Sequence, residues 1–337
     1  MLSKSKATQA MTVLALAVSL ASWCEPASAQ QAVRIGTSSV GSTFYVISIA
    51  MSKMIQTHAS LNATVEPLGG SHANMFGLAA DKVDFAVANS GAAFDRLHGE
   101  PPFKEKFALR LVAQGQPSFR GIVVRRDSGI NKPEDIVDKI ISARRRPLPE
   151  LEKIANALIK VYNLPKDRIQ LVSSVNMGEM SSALRGGSVH GAVFPFGLKQ
   201  PVATKLFHDR VIRFLQIPEQ QYEQMLALLP KSFYKATVPA NNFENQPEPV
   251  RTFGLSTLLV TSDKLPEETV YKVTKAVMGH PEEFSKFHAE AKHWTVNQTL
   301  TEPKVPFHAG AIRFYKEIGQ WNAELDRIQQ DLLRQGQ

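Results

Sequence analysis

A loop rich in glycine, serine and threonine near the amino terminus has the residue types of an anion-binding site. The apolar run from Val33 to Thr37 predicts a strand, and Ser38-Ser39-Val40-Gly41-Ser42-Thr43 follows it before a helical pattern begins. Such a loop offers free backbone N–H groups, hydroxyls and the positive end of a helix dipole, which suit a carboxylate or a phosphate. The candidate ligand contacts in this loop are Ser39, Gly41, Ser42 and Thr43.

Two enzymatic interpretations compete for the glycine-rich turns. Gly36 and Gly41 have the glycine spacing of a nucleotide P-loop, but Ser42 replaces the lysine that contacts the phosphates, which disfavours ATP hydrolysis. Gly69-Gly70-Ser71-His72-Ala73 resembles the strand-to-helix elbow of serine hydrolases, although no spacing identifies the acid and histidine of a triad. We favour Ser71 as a helix N-cap and keep a secreted serine hydrolase using Ser71 as an alternative.

The first 29 residues have the pattern of a secretory signal peptide. Lys4 and Lys6 precede an apolar run from Met11 to Trp23, and Ala27-Ser28-Ala29 supplies the small residues of a cleavage site. The apolar run is shorter than the roughly 20 residues that span a bilayer, which disfavours a membrane anchor. Lipid attachment at Cys24 is disfavoured because a bulky tryptophan precedes it. We therefore expect export to the periplasm.

Composition after cleavage excludes several kinds of site. The only cysteine leaves with the signal peptide, so disulfides and thiolate metal sites are excluded. The nine histidines form no H-E-x-x-H motif and no pair four residues apart, so we predict no metal and no cofactor. The net charge of +8 falls to +7 because two lysines and one glutamate are removed. Export and the lack of zinc-finger spacing disfavour nucleic acid, which leaves an anionic membrane surface or a small anion as the partner of this basic charge.

Short apolar runs alternate with helical patterns along the rest of the chain, which predicts an α/β fold. Helices are expected over Thr43 to Thr57 and Ser71 to Ala80, and over Pro281 to Trp294 and Phe314 to Leu333 on the outside of the fold. The strand candidates are Val33 to Thr37, Ala63 to Leu68, Val83 to Ala88, Arg110 to Ala113 and Gly121 to Val124.

A short internal sequence repeat indicates two lobes of similar architecture. Gly77 to Val87 aligns with Ala183 to Val193, and both segments have the pattern of a helix end, a turn and a buried strand. Phe119 to Arg126 and Arg251 to Val260 are extended runs that suit the crossings between lobes. We therefore expect a discontinuous lobe 1 (31–125 plus 250–337) and a lobe 2 (126–249), joined by a hinge.

Further candidate contacts lie where strands of each lobe end. Asn89 and Ser90 follow a lobe 1 strand, and Phe194 and Phe196 end the equivalent strand of lobe 2, at the edge where open α/β sheets bind ligands. The phenylalanines are equally compatible with the core. The run Arg144-Arg145-Arg146 follows a predicted strand at Lys139 to Ala143. This run either binds ligand carboxylates, with Arg144 as the candidate contact, or forms a solvated loop.

Taken together, these motifs resemble the TAXI class of periplasmic solute-binding proteins, the receptors of TRAP transporters. The resemblance covers essentially the whole mature chain. The segments that carry it are Ile35-Gly36-Thr37, Gly41-Ser42-Thr43-Phe44-Tyr45, Gly69-Gly70-Ser71, Val83-Asp84-Phe85-Ala86-Val87, Asn89-Ser90, Phe94-Asp95, Asp127-Ser128-Gly129-Ile130, Leu265-Pro266-Glu267-Glu268, Tyr271-Lys272-Val273-Thr274-Lys275 and His308-Ala309-Gly310-Ala311.

The resemblance implies a type II-like, two-lobed α/β periplasmic binding protein with a hinge and a central ligand cleft. It also implies a monomeric receptor that is not an enzyme. Its ligand would be a small organic anion, a dicarboxylate or an acidic amino acid, delivered to TRAP membrane permease subunits. A receptor for an ABC importer or a sensor would have the same fold. The family's second-lobe Gly-Ser-Gly-Thr loop is missing, and Ala143 to Pro147 occupies that region, so arginine side chains would replace backbone recognition there.

Overall fold

A computed structural model describes residues 31 to 336, so the predicted signal peptide lies outside the described residues. The strands are β1 (Ala32–Ser38), β2 (Asn62–Gly69), β3 (Phe85–Asn89), β4 (Leu109–Arg125), β5 (Ile140–Arg144), β6 (Gln170–Ser173), β7 (Gly191–Phe196), β8 (Ile212–Phe214), β9 (Tyr234–Val238) and β10 (Val250–Ser262). The α-helices are α1 (Thr43–His58), α2 (Ser71–Ala79), α3 (Ser90–His98), α4 (Glu150–Val161), α5 (Met177–Gly186), α6 (Pro201–His208), α7 (Glu219–Ala227), α8 (Glu267–Met278), α9 (Pro281–Ser285), α10 (Val296–Leu300), α11 (Ala309–Glu317) and α12 (Ala323–Gly336). Within this part of the chain, no helix is long and apolar enough to cross a membrane.

The strands form one mixed sheet in the order β2-β1-β3-β10-β4-β7-β5-β6, with β8 paired to β4 and β9 to β10. β1 pairs in parallel with β2 and β3, and β5 pairs in parallel with β6 and β7. The antiparallel pair β4 and β10 joins these two parallel groups. Parallel strands connected through helices are covered on both faces, and β3 and β7 are accordingly buried along their whole length.

Strand β4 is a single strand of 17 residues where the sequence predicts two. Gly115 and Pro117 interrupt its apolar pattern, and Pro117 lacks the N–H needed for a regular ladder. The structure accommodates this proline opposite Ser256 of β10, where the pairing register shifts between Ser256 and Leu258. The bulge keeps both strands continuous through a segment that the sequence predicts as a break.

The buried apolar side chains form two clusters that divide along β4 and β10. Leu109 to Ala113 of β4 and Leu258 to Val260 of β10 belong to the first cluster, with β1 to β3 and their helices. The second cluster takes Phe119 to Val124 of β4 and Val250 to Leu255 of β10, with β5 to β8. The polar segment between Gln114 and Ser118 separates them on β4. The domain bounds expected from the sequence stay a prediction.

Two long helices expected near the carboxyl terminus are each divided. Between Pro281 and Trp294 the chain forms only α9 and a 3-10 turn at Ala289–His293, because Trp294 turns inward and is almost completely buried. The second expected helix breaks into α11 and α12, with Gly319 at a φ of 69° between them, a conformation that favours glycine. Strand β9 was not predicted from the sequence.

Candidate functional site

The opening loop is a capped helix start that faces a cavity. Ser42 has extended backbone angles, and its hydroxyl accepts a hydrogen bond from Tyr45 N–H at 3.2 Å, so α1 begins at Thr43. This is the N-cap role that serine favours. Gly41 has a φ of 82°, and a Cβ there would lie 2.9 Å from Val202 of α6. Position 41 therefore needs glycine for two reasons: the backbone has a positive φ, and a side chain there would collide with Val202.

The two clusters approach each other closely around this cavity. A Cβ on Gly197, just after β7, would lie 2.5 Å from Thr43 Oγ1, and one on Gly70 would lie 2.9 Å from Pro147 Cβ. His72 N–H also donates to the carbonyl of Pro147 at 3.2 Å. A small cavity lies between these contacts. Its polar lining includes Ser42, Thr43, Gln116, Ser118, Arg120, Arg145 and Gln200.

Arg145 is the central cation of this cavity. Its side chain is only 3% exposed, and Nη2 donates to Ser39 Oγ and to the carbonyl of Gly69, both at 2.6 Å. Burial lowers the pKa of Arg145 to about 10, with Glu150 opposing that shift and Arg120 adding to it. An arginine from the second half of the sheet thus holds two loops of the first half.

A second buried arginine is neutralised by a carboxylate. Arg120 donates to Glu150 Oε1 from Nε at 3.1 Å and from Nη2 at 2.7 Å, and its Nη1 donates to Ser118 Oγ and the Phe119 carbonyl. Burial alone would raise the pKa of Glu150, but Arg120 and His72 outweigh it, so this pKa lies below its ordinary value. Two guanidinium groups and one carboxylate leave one net positive charge at the cavity.

Several polar atoms at the cavity are buried without a hydrogen-bond partner among residues 31 to 336. They are Arg145 Nε, Gln116 Nε2, Thr43 Oγ1 and Gln200 Oε1. Trp294 fixes the orientation of Gln116, because its indole N–H donates to Gln116 Oε1 and leaves the amide N–H groups as donors. The indole itself lies against Gly115, where a Cβ would be 2.1 Å from Trp294 Cε2. Buried polar atoms are normally paired, so these four are free to bond to a molecule in the cavity.

Five of the nine candidate residues lie at or beside the cavity. Ser42, Thr43 and Phe196 line it, and Phe196 packs against Phe119 with ring centroids 5.6 Å apart. Ser39 contacts it through its hydrogen bond from Arg145. Gly41 shapes the loop through its backbone, as its close approach to α6 requires.

The other four candidate residues do not face this cavity, and their ligand contacts stay a prediction. Arg144 is exposed, pairs with Glu152 at 2.9 Å and donates to the Leu171 carbonyl. Asn89 is fully buried and caps α3 while its Nδ2 donates to Glu150. Phe194 belongs to the second apolar cluster.

Ser90 lies in a different place. Its hydroxyl accepts from Ser256 N–H at 3.2 Å, and it lines a separate groove that also includes Phe94 and Tyr234. In the structure, Asn89 caps α3 and Ser90 pairs with β10.

Sequence reasoning missed Arg120, Gln116, Ser118 and Gln200, and it selected Arg144 rather than Arg145. One signal was available: Gln114 to Ser118 is a polar run inside an otherwise apolar strand. Polar residues inside a buried strand cost free energy unless they are hydrogen-bonded, and here they form one wall of the cavity.

Ser71 is the first residue of α2, and Gly70 rather than Ser71 is the N-cap. Its hydroxyl accepts from Asn89 N–H at 3.0 Å, and the residue is almost completely buried at the cavity wall. The neighbouring His72 is hydrogen-bonded to Asp95 at 3.0 Å. Ser71 therefore joins two elements of the first cluster, which corrects its predicted role as N-cap.

Comparison with solved structures identifies the class of fold. MatC from Rhodopseudomonas palustris, solved with bound malate, is 10% identical, with a TM-score of 0.54 over 88% of this chain and 99% of MatC. A protein from Bordetella bronchiseptica RB50 is 14% identical, with a TM-score of 0.50 over 88% of this chain and 91% of its own. The shared architecture and the mixed sheet confirm the predicted α/β fold class.

The sequence itself matches a family model. The match covers residues 35 to 319, and its family is described as the NMT1-like family. The chain belongs to the NMT1-like family. The match includes the opening loop, both crossing strands and all the cavity residues named above.

Proposed function

We propose that the protein is a non-enzymatic receptor that binds a small organic anion in the cavity and delivers it to a membrane permease. The observation that carries this proposal is Arg145, a buried cation whose Nε faces no acceptor within the described chain. A buried charge is costly unless it is paired. A ligand carboxylate would accept from Arg145 Nε beside the start of α1, where the helix dipole favours an anion.

The net positive charge of the cavity supports an anionic ligand. Glu150 balances Arg120, so Arg145 is the cation left for a ligand. An acidic amino acid carries one net negative charge, and Gln200 Oε1 offers an acceptor for its ammonium group. A dicarboxylate such as malate, which MatC holds in the same fold, would place its second carboxylate against the donors of Gln116 and Thr43. Both belong to the ligand class that we propose.

Two lobes closing on a hinge would give this cavity its selectivity. We propose lobe 1 as residues 31–125 plus 250–337 and lobe 2 as residues 126–249. The two apolar clusters and the register shift near Ser256 support a bend across β4 and β10. A ligand drives closure only through contacts that differ between the open and closed states, and contacts to both Ser42 and Arg145 meet that condition.

We further propose that this receptor belongs to the TAXI class and serves TRAP permease subunits from the periplasm as a monomer. The support is the motif resemblance of the sequence together with membership of the NMT1-like family. Receptors of ABC importers and sensors share the fold. Uptake that depends on an ion gradient and persists without ATP hydrolysis would distinguish a TRAP system from an ABC importer.

The hydrolase alternative is less well supported. Ser71 accepts a backbone N–H, and among residues 31 to 336 no hydrogen bond joins it to a histidine, as nucleophile activation requires. A fluorophosphonate probe tests this directly. Labelling that disappears in Ser71→Ala would overturn the receptor proposal.

Thermal shift measurements test the ligand class. Glutamate, 2-oxoglutarate, malate, an alkanesulfonate, a neutral amino acid and arginine form a suitable panel. A ligand at 100 times its Kd adds about 2.7 kcal/mol to the free energy of unfolding, which gives a visible rise in Tm. We expect an organic anion to give this rise. Stabilisation by only neutral or cationic solutes would refute the proposal.

A further inference from the structure

Two histidines and a glutamate meet at the far end of α1 from the cavity. His58 is the last residue of this helix, which spans about 24 Å at 1.5 Å per residue. His280 immediately precedes α9, and Glu283 lies within it. One ligand atom from each of the three side chains lies within 4.8 Å of the other two.

We propose that His58, His280 and Glu283 form a Zn²⁺ site. Two imidazoles and one carboxylate are a donor set that zinc accepts, with water in the remaining position. Zinc bonds of about 2.0 to 2.2 Å place neighbouring ligand atoms roughly 3 to 3.5 Å apart. His58 Nε2 already lies 2.8 Å from Glu283 Oε2, and the His280 ring must rotate out of its stack on His58 to direct a ring nitrogen at the same ion.

The second histidine favours a metal over a simple ion pair. An ion pair between His58 and Glu283 needs no other imidazole, yet the ring of His280 stacks on that of His58 with centroids 3.7 Å apart. The surface pair His208 and Glu244 shows the contrast, because it is an ion pair without a second histidine.

Zinc at this site would join the end of α1 to α9, two segments more than 200 residues apart in the sequence. It would stabilise the folded chain by binding it in preference to the unfolded chain. The site is separate from the anion cavity, so the proposal does not depend on the proposed receptor function.

The test is a calorimetric titration of the untagged, chelator-treated protein with ZnCl₂, together with Tm measurements. We expect one saturable equivalent and a rise in Tm. His280→Ala and the more conservative Glu283→Gln should each weaken Zn²⁺ binding at least about tenfold, which corresponds to about 1.4 kcal/mol. His208→Ala is the matched control and should bind Zn²⁺ as the wild type does. Circular dichroism checks that each variant is folded.

Co²⁺ provides a second readout, because it gives visible absorption bands in a tetrahedral site of nitrogen and oxygen ligands. We expect these bands in the wild type and in His208→Ala, and their loss in Glu283→Gln. The proposal is overturned if the wild type shows no saturable Zn²⁺ binding, or if Glu283→Gln retains wild-type Zn²⁺ affinity and Co²⁺ bands.

Discussion

Replacing Arg145 with methionine should abolish ligand binding while changing the stability of the unliganded protein only slightly. The pKa of Arg145, lowered to about 10 by burial, lies well below the ordinary value of an arginine. The folded state therefore holds this proton less tightly than the unfolded state, and the charge opposes folding at neutral pH. The difference in proton affinity corresponds to about 3 kcal/mol.

Two hydrogen bonds offset that cost. Arg145 Nη2 donates to Ser39 Oγ and to the Gly69 carbonyl, and bonds of this kind contribute about 1.5 kcal/mol each. Ser38 Oγ also donates to the Gly69 carbonyl at 3.5 Å, so that acceptor keeps a donor in the variant. We therefore expect Arg145→Met to change the free energy of unfolding by less than about 2 kcal/mol.

Ligand affinity should respond much more strongly. Losing a charge-assisted hydrogen bond of about 3 kcal/mol, together with the net charge of the cavity, weakens binding at least about 100-fold. Urea denaturation gives the stability, and titration calorimetry with the ligand found by thermal shift gives the affinity. Arg144→Met is the matched control, because that exposed ion pair contributes about 1 kcal/mol or less.

Two results would refute this reasoning. A loss of more than about 4 kcal/mol in the unliganded Arg145→Met variant would show that Arg145 is primarily a structural ion. Unchanged ligand affinity in a folded variant would show that the ligand does not contact its guanidinium.

Three further predictions follow from contacts around the cavity and its supporting segments. Burial raises the pKa of Glu290 to about 7, so the stability that its protonated form provides is lost as the pH rises from about 4.5 towards 7. Urea denaturation should therefore show Glu290→Gln to be about 3 kcal/mol more stable than the wild type at pH 8 and about equally stable at pH 4. Gly197→Ala places a methyl group 2.5 Å from Thr43 Oγ1, so the contact must shift, and we expect ligand affinity to fall at least about tenfold and the free energy of unfolding to fall by about 1 to 3 kcal/mol. Unchanged affinity would argue against closure at this contact. Trp294→Phe removes the donor to Gln116 and should lower the free energy of unfolding by about 1 to 3 kcal/mol, whereas a neutral result would mean that water replaces the indole N–H.

The local part of the site is predictable because it depends on neighbouring residues. The strand from Val33, the glycine-rich loop and the cap at Ser42 follow from apolar pattern and capping chemistry within about ten residues. The alternation of strands and helices likewise indicates the α/β class.

The choice between neighbouring arginines was not predictable from spacing alone. The register of β5 against β6 shifts between Ser142 and Arg144, and this irregularity changes which face the following side chains occupy. Arg144 consequently lies outside with Glu152, and Arg145 lies inside with Ser39. A regular strand pattern cannot show a bulge of this kind.

The buried ion pair between Arg120 and Glu150 could not be predicted from the sequence, for a different reason. The two residues are separated by 30 positions and lie on different elements, and their contact depends on the path of the whole second half of the sheet. A charged residue inside an apolar strand signals that a partner exists, but the identity of the partner is set by tertiary structure.

Strand β10 has a consequence for the order in which the chain can fold. It contributes Leu258 to Val260 to one apolar cluster and Val250 to Leu255 to the other, so each core lacks a central strand until this segment is present. A growing chain shorter than about 262 residues can complete neither core. The two cores should therefore form late and nearly together, once β10 pairs with β3 and β4.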